Sequence, residues 1–220
     1  MKTVLIKEDI LSRNNERAAE VRELTAKRKI FYINVMSSPG AGKTTLLTKV
    51  IPLLAGKYRI GVIEADIDSD KDALEIERAT GVKTIQMHTG GACHITCQMS
   101  FEALEALGTE GLDVVFLENI GNLVCPAEFD TGADMNLVLL SVPEGDDKPL
   151  KYPLMFEVAS CVVLTKLDVA HIFDFDPERA LANVRKRNGK AEVFSVCAKT
   201  GEGVGALVSC LEGRIGEKLG

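Results

Sequence analysis

The stretch Ser37-Ser38-Pro39-Gly40-Ala41-Gly42-Lys43-Thr44-Thr45 decides the fold of this chain. It follows the apolar run 30–36, Ile-Phe-Tyr-Ile-Asn-Val-Met, which reads as a buried strand. It precedes Leu46, Leu47, Val50, Ile51 and Leu54, an apolar set at helical spacing. Strand, glycine-rich turn, Lys-Thr and helix together form the context of a phosphate-binding loop. Backbone N–H groups of the turn and the positive end of the helix dipole surround a polyphosphate in such a loop. Lys43 is then expected to reach the β- and γ-phosphates, and the Thr44 hydroxyl to bind Mg²⁺. The usual pattern opens on glycine, and Ser37 stands there instead. The bland alternative is an ordinary glycine-rich strand-to-helix turn; the flanks and the Gly-Lys-Thr ending favour phosphate.

The rest of the chain extends this unit. Further strand candidates lie at 60–64, 82–87, 113–118, 137–142, 161–165 and 192–196, with helical patterns at 72–79, 99–107, 177–187 and 204–216. Strand 113–118 is apolar throughout its middle, as parallel strands buried on both faces are. The economical fold is α/β: a doubly wound, mostly parallel sheet of about seven strands. Residues 143–153, with three prolines, read as a polar loop. Residues 30–220 are expected to form one nucleotide-binding domain. Residues 1–29 are expected to form an N-terminal extension, with an amphipathic helix at 13–28 carrying Ala18, Val21 and Leu24. The run Lys27-Arg28-Lys29 fits a helix end, where cations complement the dipole.

Bulk properties narrow the class. Of 220 residues, 46% are hydrophobic, enough for a sizeable core, and the formal charge is −6. That balance argues against nucleic acid as a partner. Lys2, Lys7, Glu8 and Asp9 break any signal-peptide core, and no run is long and apolar enough for a membrane span, so a cytoplasmic protein with no membrane partner is expected. Six cysteines in that compartment are not expected to pair as disulfides. Cys161 and Cys210 read as core residues, whereas Cys93, Cys97 and Cys125 fall in turn-rich polar segments.

Two later segments select a base. Thr165-Lys166-Leu167-Asp168 resembles the Asn-Lys-x-Asp element of GTP-binding proteins, with Thr at its first position. There the carboxylate accepts hydrogen bonds from guanine donors that adenine lacks, and the lysine stem lies against the base. Ser195-Val196-Cys197-Ala198-Lys199 resembles the Ser-Ala-Lys element whose backbone meets the guanine oxygen. A surface ion pair of Lys166 and Asp168 is the alternative for that pair alone; with all three elements in order, GTP/GDP is the expected nucleotide. Glu64-Ala65-Asp66 and Glu118-Asn119-Ile120-Gly121 each end an apolar strand. Asp66 and Glu118, with Thr44, are candidate Mg²⁺ ligands. Lys43, Asp66, Asp72 and Gly121 are the candidate catalytic set: Gly121 to donate its N–H to the γ-phosphate, Asp66 or Asp72 to orient water. The acidic run 66–72 reads equally as a solvated loop with a helix cap. No glutamine stands in a catalytic place, so slow intrinsic hydrolysis, quickened by dimerisation or a partner, is expected.

Cys93-His94 and Cys125 offer thiolate and imidazole, ligands for Zn²⁺ or Ni²⁺, and Cys97 stands four residues on. By spacing alone they read equally as small apolar fillers and a chance Cys-His pair. Here a resemblance becomes specific. Gly90-Gly91-Ala92-Cys93-His94, the run 118–127 (Glu-Asn-Ile-Gly-Asn-Leu-Val-Cys-Pro-Ala) and Glu144-Gly145-Asp146-Asp147-Lys148-Pro149 resemble the nickel-insertion GTPases of hydrogenase maturation, the HypB family. The likeness runs from about residue 30 to the C-terminus. It implies a GTP-dependent homodimer through the metal and nucleotide face, and nickel or zinc held by Cys93, His94 and Cys125. It also implies delivery of Ni²⁺ to a [NiFe]-hydrogenase large-subunit precursor with a HypA-type metallochaperone. Some members carry an N-terminal Cys-x-x-Cys-Gly-Cys or a histidine-rich tract; residues 1–30 here hold no cysteine, and the chain has three histidines. The embedded site is therefore expected to carry the metal role alone. Rival readings are a chaperone for urease or a cobalamin-dependent enzyme, a metal store without turnover, and an ATP-dependent kinase.

Overall fold

The structure is a computed structural model that describes residues 6–220, with side chains from Ile10 onward. The first five residues of the expected N-terminal extension lie outside the described residues. Seven strands form one sheet: β1 (Phe31–Met36), β2 (Ile60–Asp66), β3 (Lys83–His88), β4 (Val114–Glu118), β5 (Met135–Ser141), β6 (Cys161–Thr165) and β7 (Glu192–Val196). Their order is β3-β2-β4-β1-β5-β6-β7, and every pairing is parallel. The helices are α1 (Ile6–Arg28), α2 (Lys43–Leu54), α3 (Lys71–Thr80), α4 (Cys97–Leu107), α5 (Cys125–Glu128), α6 (Lys148–Lys151), α7 (Pro153–Glu157), α8 (Pro177–Arg187) and α9 (Val204–Leu219).

Side chains alternate across the pleat, so each central strand feeds two cores. Phe31, Ile33 and Val35 of β1 pack with Leu46, Leu47 and Ile51 of α2, Ile76 of α3 and Leu207 and Leu211 of α9. Tyr32 faces the other way, with Ala18 and Val21 of α1 and Leu104 and Leu107 of α4. Met36 joins a third cluster with Met155 and Phe156 of α7 and Ala180 and Val184 of α8. Burial on both faces explains why these strands read as unbroken apolar runs. The chain order turns outward from β1 in both directions, so the carboxyl ends of β1, β4 and β5 form the crevice where such sheets bind ligands.

Three expectations are corrected. Residues 143–153 are not a loop: the turn Val142–Glu144, α6 and α7 fill the segment, each with proline in its first turn. A proline there loses only an N–H that the helix would leave unpaired. Helix α1 begins at Ile6 rather than near residue 13. Cys97 is not in a turn; it opens α4, fully buried, and its N–H donates to Asn14 Oδ1 at 2.8 Å.

Candidate functional site

The phosphate loop is built as a cradle open at one side. Gly42 caps α2 with φ of 99°, a left-handed conformation that side-chain-bearing residues rarely adopt. Three neighbouring elements hold the loop from below. Thr165 Oγ1 donates to the Ala41 carbonyl at 2.8 Å, and Lys166 Nζ donates to the Gly40 carbonyl at 2.6 Å. Ser38 donates its hydroxyl to Glu144, whose other oxygen accepts from the Ser141 N–H and hydroxyl. Gly121 lies so close that a Cβ there would stand 2.7 Å from Pro39 Cα. The strand end after β4 therefore rests directly on the loop, and only glycine permits it. Thr45 continues α2 behind Thr44, and its carbonyl accepts from the Thr48 hydroxyl.

Three carboxylates converge beside this cradle. Glu64 and Glu118 stand directly opposite each other on β2 and β4, and both are buried. Asp72, from the first turn of α3, brings an oxygen to them; one oxygen from each of the three lies within 4.8 Å of the others. Thr44 Oγ1 donates to Glu118 Oε1 at 2.8 Å, and Lys43 Nζ stands 3.9 Å from the same oxygen. Burial, with the Glu118 charge adding to it, pushes the Glu64 carboxyl up to about 8. Burial raises Glu118 to about 7, held back by Lys43 and the Thr44 hydroxyl. Each keeps one buried oxygen, Oε2, with no hydrogen-bond partner. Two buried carboxyls so placed ionise together near neutral pH only beside a cation. The donor set, carboxylate oxygens plus a hydroxyl, suits a hard ion such as Mg²⁺.

Asp66 does not join this group. Its Oδ1 accepts the N–H groups of Asp68 at 3.0 Å and Ser69 at 2.8 Å, which hold its carboxyl below the usual range. The acidic run beginning at Asp66 thus divides: Asp66 fastens its own turn, and Asp72 faces the cradle. Glu64, rather than Asp66, stands with Glu118 and Asp72 beside the cradle. Its signal was an acid on the same pleat face as Ile60 and Val62, where a buried strand has no other reason to carry one.

After β6 comes Lys166, left-handed with φ of 62°, and then the turn Leu167–Val169, which carries an exposed Asp168. The turn after β7 carries Ala198 and Lys199. Cys197 differs from its expected part in nucleotide contact: it is buried and its N–H donates to the Glu202 carbonyl at 3.0 Å. Ala198 and Lys199 are left to present the turn.

The third cluster forms where the segments following β3 and β4 meet. Cys93 Sγ, His94 and Cys125 bring their ligand atoms within 4.8 Å of one another. The sulfurs are 3.2 Å apart, and Cys93 Sγ is 3.6 Å from His94 Nδ1. His94 stacks on Phe129 at 3.8 Å between ring centres, and partial burial lowers its imidazole, favouring the neutral form that binds metal. The hydrogen bond with Cys125 raises the Cys93 thiol, so a metal would have to displace that proton. Two thiols and an imidazole fit a borderline ion. Cys97 lies outside the group; burial pushes its thiol up to about 12. Asp146, from the acidic segment 144–149, serves the scaffold: it pairs with Arg179 at 2.7 Å and accepts the Asp176 N–H at 2.9 Å, anchoring α8.

This geometry has close counterparts. A family model described as the CobW/HypB/UreG nucleotide-binding domain matches residues 31–195. The hydrogenase maturation factor HypB of Azotobacter chroococcum is 46% identical over 98% of this chain and 70% of its own. The Escherichia coli K12 protein of the same name is 43% identical over 93% of this chain and 70% of its own. The crystal structure of Helicobacter pylori HypB in complex with nickel superposes with a TM-score of 0.87 at 36% identity, covering 94% of this chain and 97% of that one. Archaeoglobus fulgidus HypB gives 0.86 at 31% identity, over 93% and 99%. The receptor FtsY of Elizabethkingia anophelis, at 16% identity and a TM-score of 0.55 over 82% of this chain and 64% of its own, shares the fold. A parallel P-loop sheet, the conjunction of cradle and Cys-His cluster, and this likeness over nearly the whole length lead to one assignment: the chain belongs to the HypB family of CobW/HypB/UreG P-loop GTPases.

Proposed function

We propose that this protein binds and hydrolyses GTP and uses the nucleotide state to control a nickel ion destined for a [NiFe]-hydrogenase large-subunit precursor. The observation that carries it is the adjacent pair of sites: a phosphate cradle with its carboxylate group, and a Cys93–His94–Cys125 cluster whose Cys125 follows β4, the strand that supplies Glu118. The names and nickel complex of the relatives supply the client and the cargo.

Lys43 and the N–H groups of the loop neutralise the phosphates, with Pro39, Gly40, Ala41 and Gly42 shaping the turn that presents them. Thr44, Glu118 and Glu64 would hold Mg²⁺, with Asp72 beside them. The cation supplies charge neutralisation at the phosphoryl oxygens as the terminal bond breaks. Gly121, which lies against Pro39, donates its N–H to the γ-phosphate in this reading. Asp72, with an oxygen free of the Asp66 turn, is the residue to orient water. Asp168 reads guanine through its two donors, the Lys166 stem covers the base once freed from Gly40, and Ala198 and Lys199 approach its carbonyl. Cys93, His94 and Cys125 hold Ni²⁺, or Zn²⁺ in its stead. Two protomers meet across this face, and a HypA-type metallochaperone docks near it. The Helicobacter pylori relative's name joins urease to hydrogenase, so a urease client is the second reading for the cargo's destination.

The test is metal analysis of purified protein, with and without GTP, alongside steady-state phosphate release. The Cys125→Ala variant is expected to lose bound Ni²⁺, and the Lys43→Ala variant to lose turnover. Unchanged nickel in the first, or unchanged hydrolysis in the second, removes the corresponding half of the reading.

A further inference from the structure

Asn122 occupies a singular place. Its main-chain N–H donates to the Ser37 carbonyl, at the base of the phosphate loop, at 2.8 Å. Its side-chain Nδ2 donates to the Cys93 carbonyl at 3.1 Å. Its Oδ1 accepts the N–H of Val124, the residue before Cys125, at 2.8 Å. One residue thus ties the loop that holds phosphate to both segments whose thiols meet at 3.2 Å. The preceding residue, Gly121, lies against Pro39 of that loop, so two adjacent residues join the loop to this segment.

The chemistry requires asparagine. The Cys93 carbonyl needs a donor and the Val124 amide needs an acceptor, on one short side chain. Aspartate supplies the acceptor alone and sets a charge against the Cys93 carbonyl. Alanine supplies neither, but leaves the main-chain bond to Ser37 intact. The three bonds form a short, contiguous link, and thiolate coordination is sensitive to ligand placement on the scale of a few tenths of an ångström.

We propose that Asn122 is the positioning residue that couples the two sites: it sets the spacing of Cys93 and Cys125 according to the state of the phosphate loop, and so sets the affinity for a thiolate-bound divalent metal. This rests on the reading that those two cysteines hold nickel. It assigns the coupling to one side chain, whereas that reading names no residue that carries it.

The experiment titrates Ni²⁺ into the full chain, followed by thiolate-to-nickel absorption, with GDP or a non-hydrolysable GTP analogue bound. Wild type, Asn122→Ala and Asn122→Asp are compared, and thermal unfolding records whether each variant is folded. The wild-type affinities in the two nucleotide states are expected to differ by about 5-fold or more, the usual lower end of allosteric coupling. In Asn122→Ala the absorption band persists, but the two affinities should fall within about 2-fold of each other. Asn122→Asp, which keeps the Val124 bond and loses the Cys93 bond, should lose the ratio as well; it decides the matter if the alanine variant does not fold. By reciprocity, the ratio of the analogue's affinity to that of GDP, compared with and without Ni²⁺, must lose the same factor in the same variants, a readout independent of the nickel band. A variant that weakens Ni²⁺ equally in both states, with the ratio intact, shows a merely structural role and overturns the proposal while leaving the function standing. A wild-type ratio of one overturns the coupling itself, and the absence of a wild-type band overturns the reading of Cys93 and Cys125 as nickel ligands on which it rests.

Discussion

Glu64 shows how one side chain can report the state of the whole site. In the unfolded chain its carboxyl ionises near 4.5; in the metal-free fold it does so near 8. Between those values the folded state holds a proton the unfolded state has released, so stability falls as pH rises from about 4.5 to about 8. The Glu64→Gln variant has no such proton to lose. Thermal unfolding of metal-free protein at stepped pH should show a flatter profile for the variant; parallel profiles would deny that Glu64 is held protonated. Gly121 makes a steric statement at the same scale. A Cβ there meets the backbone of Pro39 at 2.7 and 2.8 Å, atoms that cannot rotate away. Gly121→Ala should lower stability by about 1–3 kcal/mol. It should also weaken nucleotide binding about 10-fold or more, because the loop itself is displaced. A fluorescent-nucleotide titration with normal affinity would contradict the close approach.

At the scale of elements, the departures from the familiar pattern acquire reasons. Thr165 replaces the expected asparagine, and its hydroxyl, at the end of β6, donates to the Ala41 carbonyl of the loop before α2. A β-branched hydroxyl residue both extends the strand and reaches that carbonyl. Thr165→Val keeps the shape and leaves the carbonyl unpaired in a buried place, a cost of about 1–3 kcal/mol. The expected readout is a lower unfolding temperature together with weaker GTP and GDP binding in equal proportion, since the loop and not the γ-phosphate is disturbed. A loss confined to one nucleotide would point elsewhere. The three prolines of 142–157 likewise become helix starts, and Glu144 uses its turn to fasten both Ser141 and the loop residue Ser38.

At the scale of the molecule, α1 clamps the segments that carry the metal ligands. Asn14 accepts the Cys97 N–H and donates to the Asp130 carbonyl, both at 2.8 Å; Cys97 follows Cys93-His94, and Asp130 follows Cys125. Arg22 adds a paired contact with Asp130. Asn14→Ala should lower stability by about 1–3 kcal/mol. For a chain of this size that means an unfolding temperature lower by several degrees. It should also loosen Ni²⁺ binding while sparing GTP; equal affinity for Ni²⁺ in variant and wild type would confine α1 to the core. Local patterns sufficed for much of the rest. A strand, a glycine-rich turn and a helix are consecutive in the chain, so the phosphate loop, the parallel sheet and the place of Lys166-Leu167-Asp168 were legible in the sequence. The cysteines and histidine could be named, yet not separated from Cys97, because proximity between residues 93 and 125 is created only when β3 and β4 end on the same side of the sheet. That Glu64 and not Asp66 meets Glu118 depends on how a turn spends its N–H groups and which acid faces its neighbour across β2 and β4. The sequence by itself determined which chemical groups the protein owns and which elements bear them, because periodicity and turn chemistry are local. Only the tertiary structure decided which of those groups meet, because burial, register and the path of Asn122 between two sites are properties of strands brought together from distant parts of the chain.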